Sequence, residues 1–468
     1  MKYVNEKLEE FNQYIVGKRV AIIGIGVSNL PLLDYFYEHK AKVTVFDNRE
    51  LDNIDQEAID KINKYEMLYY FGKNNLTHLQ NFDIIFRSPS AMPFLPEIEK
   101  EVERGAILTS EIEMVMMLCP GTIIGVTGSD GKTTTTSLIY EILKQKGYRC
   151  FLGGNIGIPL FAKIEEMRPE DIVVLELSSF QLMDMQVSPR ISVVTNVSPN
   201  HLNVHRSYEE YIEAKKNIFM YQKETGTVVL NYDNEITRSF AKDAKGKVLF
   251  FSSKGNIPNE GYVYENGIIK QCRANGIREQ LLSVKEIPLR GVHNYENICA
   301  ALAATSSLVD TKNQLQAIKK FKGVEHRIEL VREINGVKWY NDSIGTSPSR
   351  TMAGLSSFDE NIVLIAGGYD KHLDYAPIGK PIVDKVGTLI LMGATADKIE
   401  KAVQDELLRQ GKQMPIYRCD TLEQTVNLAH EKAKPGDVVL FSPASASFDL
   451  FKNFEERGNL FKELVKKL

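Results

Sequence analysis

The chain has 468 residues, 43% of them hydrophobic and 25% charged, with 57 Lys+Arg against 61 Asp+Glu, which at roughly 100–200 residues per domain suits two to four globular domains. A formal net charge of −4 leaves no basic excess for coating nucleic acid, and no apolar run reaches the roughly 18–20 residues of a membrane helix. The polar start MKYVNEKLEEFNQYIV is unlike a signal peptide, and the five cysteines, scattered and without a CxxC pair, read as thiols of a reducing compartment.

A cytoplasmic protein is expected, acting as a monomer on small molecules, with neither nucleic acid nor membrane as partner. Three segments repeat one grammar, a run of β-branched residues that ends in glycine and opens a helical pattern. They are RVAIIGIG from Arg19, TIIGVTGSDGKTT from Thr122 and NIVLIAGGYDK from Asn361. Continuous apolar runs mark strands buried on both faces, and a glycine turn into a helix begins a βαβ unit. The spacing predicts an α/β protein of three domains: a Rossmann-like domain over 1–112, a central P-loop nucleotide-binding domain over 113–323, and a second Rossmann-like domain over 324–468.

In the first domain Gly24 and Gly26 follow the strand, and KVTVF ends in Asp47, 21 residues after Gly26. Such glycines let a backbone approach a diphosphate, and such a carboxylate takes ribose hydroxyls. Asn29 stands where the third glycine of that fingerprint belongs, and Arg49 adds a cation beside the carboxylate. The motif alone leaves open a nucleotide-like ligand and a plain tight turn.

The central segment Gly125-Val-Thr-Gly-Ser-Asp-Gly-Lys-Thr-Thr is a narrower variant of the phosphate loop, with Val126 where the general pattern has glycine. Backbone N–H groups over Gly128, Ser129, Asp130, Gly131 and Thr134 would line phosphates, Lys132 would reach their oxygens, and the Thr133 hydroxyl would hold Mg²⁺. ATP or another nucleoside triphosphate is the expected ligand. Strand DIVVLELSSFQL brings Glu176 to a carboxyl end, and ISVVTNVSPNHLNVH brings His201 to the next. One carboxylate and one imidazole beside a phosphate loop suit metal binding. Each alone is equally a satisfied structural group. Region 223–290, with the Glu265-Asn-Gly turn, reads as hairpins that extend the central sheet. Lys371 follows the Gly-Gly turn of the third repeat, where such a domain presents ligands.

Together these residues resemble the Mur ligases, which add amino acids to the UDP-N-acetylmuramoyl precursor of peptidoglycan. TGSDGKTTT, GGNIG (Gly153–Gly157), ELSSFQL, TNVSPNHLNVH, HNYENICAALAA, EHRIELV, YNDSIGTSP and GGYDK fall in the family's order. The ending SPASASFDLFKNFEERG resembles its D-glutamate-adding branch.

The resemblance implies an ATP-dependent, amide-forming activity that joins D-glutamate to UDP-N-acetylmuramoyl-L-alanine through an acyl phosphate. It implies that Lys132 and Thr133 hold the triphosphate with Mg²⁺, two ions in all, and that Glu176 and His201 bind metal. Lys215 would be carbamylated and would also face metal. Asn294, Arg327 and Asp342 would contact ATP. Thr346, Lys371, Ser447 and Phe454 would surround D-glutamate. Asn155 would lie near the muramoyl carboxylate, and Ser28, Asp47, Asn48 and Arg49 would hold the uridine end. The chain departs from the family's pattern at Ser90, Asn200 and Ile344. Alternatives are a related ligase with another amino acid or acceptor, such as a folate polyglutamate-forming type, and a nucleotide-gated ATPase or binding module.

Overall fold

The computed structural model describes residues 3–199, 205–371 and 373–468. It divides into two compact units, one of residues 1–286 and 296–319 and the other of 287–295 and 320–468.

The first unit carries two sheets. The N-terminal sheet is formed by β1 (Arg19–Ile23), β2 (Lys42–Asp47), β3 (Leu68–Phe71), β4 (Ile84–Arg87) and β5 (Ile107–Thr109) in the order β3-β2-β1-β4-β5. Every pairing is parallel, the order of a dinucleotide-type half-fold. Period two explains its sequence: Val20 and Ile22 join one core while Ala21 and Ile23 join the other. Both faces are therefore covered, and the strand is apolar after the exposed Arg19.

The central sheet runs through β6 (Thr122–Thr127), β7 (Cys150–Gly154), β8 (Ile172–Glu176), β9 (Ile191–Val194), β10 (Thr227–Asn231), β11 (Lys247–Ser252), β12 (Gly261–Glu265), β13 (Ile268–Cys272) and β14 (Arg278–Ser283). Its order is β14-β13-β12-β11-β10-β9-β6-β8-β7. Strands β12 to β14 are antiparallel hairpins. Asn266 and Gly267, at φ 51 and 77, make the turn that matches strand twist. The two sheets of this unit are tied through Arg87, 1% exposed, which reaches Asp184 and the Phe180 carbonyl. Phe161, fully buried, packs against Tyr35 and Phe86.

The second unit holds β15 (Glu329–Ile334), β16 (Val337–Asn341), β17 (Ile362–Ala366), β18 (Val386–Leu391), β19 (Ile416–Arg418) and β20 (Val438–Phe441) in the order β15-β16-β20-β17-β18-β19. Only the β15–β16 hairpin is antiparallel among the described pairings of this sheet. Along β17, Leu364 faces one apolar core and Val363 and Ile365 the other. Among the described residues no helix is long and apolar enough to cross a membrane.

Candidate active site

The phosphate loop lies between β6 and the helix Lys132–Lys146, and its glycines answer to geometry. Gly128 has φ +147, and a Cβ there would come within 1.9 Å of Thr195 Oγ1. Gly131 has φ +80, and a Cβ would lie 2.4 Å from Asn297 Oδ1. Both positions thus exclude a side chain twice over, by conformation and by space. The loop is pinned from β9: the Ser129 N–H donates to the Asn196 carbonyl at 2.9 Å, and the Asp130 N–H to Asn196 Oδ1 at 2.9 Å. The first N–H groups of the helix then have no intrahelical acceptor and point where an anion would sit.

Two lysines converge on this loop. Lys132 Nζ donates to the carbonyls of Gly128 and Ser129, each at 3.0 Å. Lys215 reaches the same Gly128 carbonyl at 2.8 Å from the helix Tyr208–Met220. Lys215 is 2% exposed. Burial, and then the charge of Lys132, push its ammonium well below the ordinary lysine range. Tyr211, one turn before it, is hydrogen-bonded to Ser129 Oγ at 2.9 Å.

The β7–β8 pairing sets Gly154 opposite Glu176, which delivers the next residue, Asn155, to the carboxylate. Asn155 Nδ2 donates to Glu176 Oε1 at 2.9 Å, and the Asn155 N–H to the Glu176 carbonyl at 2.8 Å. Glu176 is 1% exposed, and its Oε2 has no hydrogen-bond partner among the described residues. A buried carboxylate oxygen left open is costly unless a cation takes it, so this donor fits a divalent metal. Among the described residues no three His, Cys, Asp or Glu gather in one cluster. His201 and the departure at Asn200 lie outside the described residues.

At the first glycine turn Asn29 takes over a structural duty, its Nδ2 donating to the Gly24 carbonyl at 2.9 Å. Asp47 receives the Ile25 N–H at 2.9 Å and the Arg49 N–H and Nε at 2.9 and 3.0 Å. Burial works to raise its pKa, but the Arg49 guanidinium holds the carboxyl below the usual range. Asp47 therefore builds the turn and orients Arg49. Ser28 is half-buried and Asn48 is exposed.

In the second unit β16 ends at Asn341, and Asp342 follows, fully enclosed. Its Oδ2 accepts from Ser442 Oγ at 2.6 Å and its Oδ1 from the Ile328 N–H at 3.3 Å. Burial pushes this carboxyl up to about 6. Arg327 sits between two left-handed residues, His326 at φ 64 and Ile328 at φ 45, unusual for a β-branched side chain. That conformation is held by the Asp342 contact and by Asn341 Nδ2, 2.9 Å from His326 Nδ1.

The Tyr369–Ala446 bridge sets the Lys371 loop beside the loop of Ser447. The Lys371 ammonium lies 5.5 Å from the Phe448 ring centroid. Ser447 is buried, whereas Thr346 and Phe454 are half-buried, and Phe454 packs edge-on to His326.

Three residues without a predicted role stand among these. Asn297 touches the phosphate loop and accepts from Thr135 Oγ1 at 3.2 Å, while Asn294, one turn earlier, donates to the Arg290 carbonyl at 2.6 Å. Arg457, 2% exposed, donates to the carbonyls of Ser343 and Ala446 at 2.9 and 2.8 Å, joining the Asp342 and Ser447 loops. Phe448 is the third. HNYEN and FEERG carry the first two, and only their motif context could have marked them.

Comparison with known proteins assigns the chain to a family. Three family models match, a MurD-like N-terminal domain over 18–110, the Mur ligase middle domain over 126–305 and the Mur ligase glutamate ligase domain over 326–445. The chain is 51% identical over 464 residues to the UDP-N-acetylmuramoylalanine–D-glutamate ligase of Acetivibrio thermocellus, covering 99% of each. It is 49% identical to the ligase of that name from Ruminiclostridium cellulolyticum, covering 99% of this chain and all of the relative. In fold it is similar to the UDP-N-acetylmuramate–alanine ligase of Thermotoga maritima, with a TM-score of 0.59 at 18% identity over 96% and 99% of the two chains. It is also similar to a MurF ligase of that organism in complex with ADP, with a TM-score of 0.57 at 19% identity over 98% and 97%. The chain belongs to the Mur ligase family, and within it to the UDP-N-acetylmuramoylalanine–D-glutamate ligases.

Proposed function

We propose that the chain joins D-glutamate to UDP-N-acetylmuramoyl-L-alanine at the expense of ATP, in the synthesis of peptidoglycan precursors in the cytoplasm. A carboxylate is a poor acyl donor, so its oxygen first attacks the γ-phosphorus of ATP, releasing ADP and leaving an acyl phosphate. The amine of D-glutamate then adds to the acyl carbon, and phosphate leaves as the amide forms. The first step brings two anions together, which demands concentrated positive charge.

Lys132 and the open N–H groups after Gly131 would neutralise the triphosphate, with Ser129, Asp130, Thr133 and Thr134 shaping the loop. Glu176, Thr133 and His201 would hold magnesium, two ions in all, which when bound supplies charge stabilisation to the transferring phosphoryl group. Asn155 fixes the rotamer of Glu176. Lys215 would act as its carbamate: a lysine held neutral by burial can add carbon dioxide at Nζ, losing a proton and becoming an anion. Arg327 and Asp342, with Asn294, would serve the nucleotide. Lys371, Thr346, Ser447 and Phe454 would receive D-glutamate, and Arg49, Asn48, Ser28 and the Asp47 turn the uridine end.

The observation that most supports this reading is the pair of lysines on the Gly128 carbonyl, together with a buried carboxylate that has an open oxygen at the end of the neighbouring strand. Incubation with ATP, UDP-N-acetylmuramoyl-L-alanine and labelled D-glutamate tests it. Labelled nucleotide product should appear with equimolar ADP and phosphate. ATP turnover that ignores the acceptor, with no label transferred, would reject it.

A further inference from the structure

The mechanism leaves unused a cavity of about 290 Å³ in the first unit. It lies where β10 and β11 begin, at Thr227 and Lys247. The phosphate loop follows the far end of β6, which runs parallel to them through β9. The cavity is thus at the opposite end of the strands from the nucleotide loop. Lys247 and Leu249 of β11, Tyr262 of β12 with Glu260 just before that strand, and Gln271 of β13 with Arg273 just after that strand all line it. Gly261 and Cys272 border it as well, while Phe250 and Val263, next along their strands, join the core cluster. Ala303 and Ala304, both 1% exposed, close the cavity from the end of the helix Val292–Thr305. Small residues there leave the space unfilled.

The chemistry of the wall is specific. Tyr262 is 3% exposed, yet its hydroxyl makes no hydrogen bond among the described residues, and burial pushes it up to about 12. Tyr262 lines the cavity, so a guest held there can hydrogen-bond to its hydroxyl. At the mouth stand both signs of charge, Lys247 paired with Glu260 and Arg273 paired with Glu279 at 2.7 Å. The volume falls just below the roughly 300–1,000 Å³ of drug-sized pockets.

We propose that this cavity is a second small-molecule site, fitted to an amino-acid-sized zwitterion whose carboxylate meets Lys247 and Arg273, whose ammonium meets Glu260, and which hydrogen-bonds to the Tyr262 hydroxyl. The assignment stands apart from the ligase reading and uses none of its residues.

Calorimetric titration of the full-length protein, without nucleotide, tests it with L-alanine, L-glutamate and L-lysine as probes and with propionate and propylamine as single-charge controls. At least one amino acid should bind tenfold or more tightly than either control. Tyr262→Phe and Ala304→Trp should each weaken that binding at least tenfold. Should Ala304→Trp not fold, Tyr262→Phe decides, with a thermal melt near that of the unsubstituted protein confirming its fold. No binding by any of the amino acids, equal binding by a single-charge control, or affinity unchanged by the substitutions would overturn the proposal.

Discussion

Asn155 is a single amide that governs a carboxylate. By donating to Glu176 Oε1 at 2.9 Å it leaves Oε2 directed elsewhere, the role that outer partners of metal ligands play. Asn155→Ala is expected to raise the magnesium concentration for half-maximal ligation by roughly 10–100-fold, with a smaller change at saturating metal. A titration of activity against Mg²⁺ checks this, and an unchanged midpoint would remove Asn155 from that role. Asp342 offers a second handle. With its carboxyl raised to about 6 by burial, it is ionised at neutral pH and gains a proton as the pH falls through that value, losing acceptor capacity. The KM for ATP should rise below about pH 6 in the unsubstituted protein and should be high and flat with pH in Asp342→Asn. Lys132 and Glu176 were legible because each sits at a fixed offset from a glycine turn or a strand end. Asn297 and Arg457 were not, because their partners lie far along the chain, and no local period distinguishes such a residue from a solvated one.

At the scale of elements, strands were the readable part. VAII, after the exposed Arg19, and IVLIA are apolar at every position because both faces of their sheets are covered, and Asn266-Gly267 announces its own hairpin. The helix Glu111–Leu118 was less transparent, because EIEMVMML hides two carboxylates inside the fold. Glu111 accepts from the Phe161 N–H at 2.8 Å, at the short helical turn Phe161–Glu166, and burial lifts its carboxyl to about 7. The folded chain therefore keeps a proton that the unfolded chain releases at the ordinary carboxylate pKa. The stabilisation is full below that ordinary value and is lost as the pH rises through about 7, a change of about 3 kcal/mol at most. Glu111→Gln should accordingly raise the melting temperature more at about pH 8 than at about pH 5.5, relative to the unsubstituted protein at each pH. An equal shift at both values would assign the effect to packing alone.

For the molecule as a whole, three glycine-ended repeats correspond to three sheets, yet the chain divides into two compact units. The N-terminal and central sheets share a unit through the buried Arg87–Asp184 pair and the packing of Phe161, pairings that periodicity cannot forecast. The division has a chemical consequence. Lys132, Glu176 and Lys215, proposed to activate the acid, belong to the first unit, whereas Asn294, Arg327 and Asp342, proposed for ATP, and Lys371, Thr346, Ser447 and Phe454, proposed for D-glutamate, belong to the second. Removing the Lys371 ammonium should then harm capture of the intermediate more than its formation. Lys371→Ala is expected to lose roughly 10²–10³-fold in amide synthesis at a fixed D-glutamate concentration, the scale of one lost electrostatic contact. Acceptor-dependent positional exchange of ¹⁸O between the β,γ-bridge and the β-nonbridging positions of ATP, which reports reversible acyl-phosphate formation, should persist within a fewfold of the unsubstituted rate. Equal loss of both reactions would place Lys371 in the activation step and undo this division of labour.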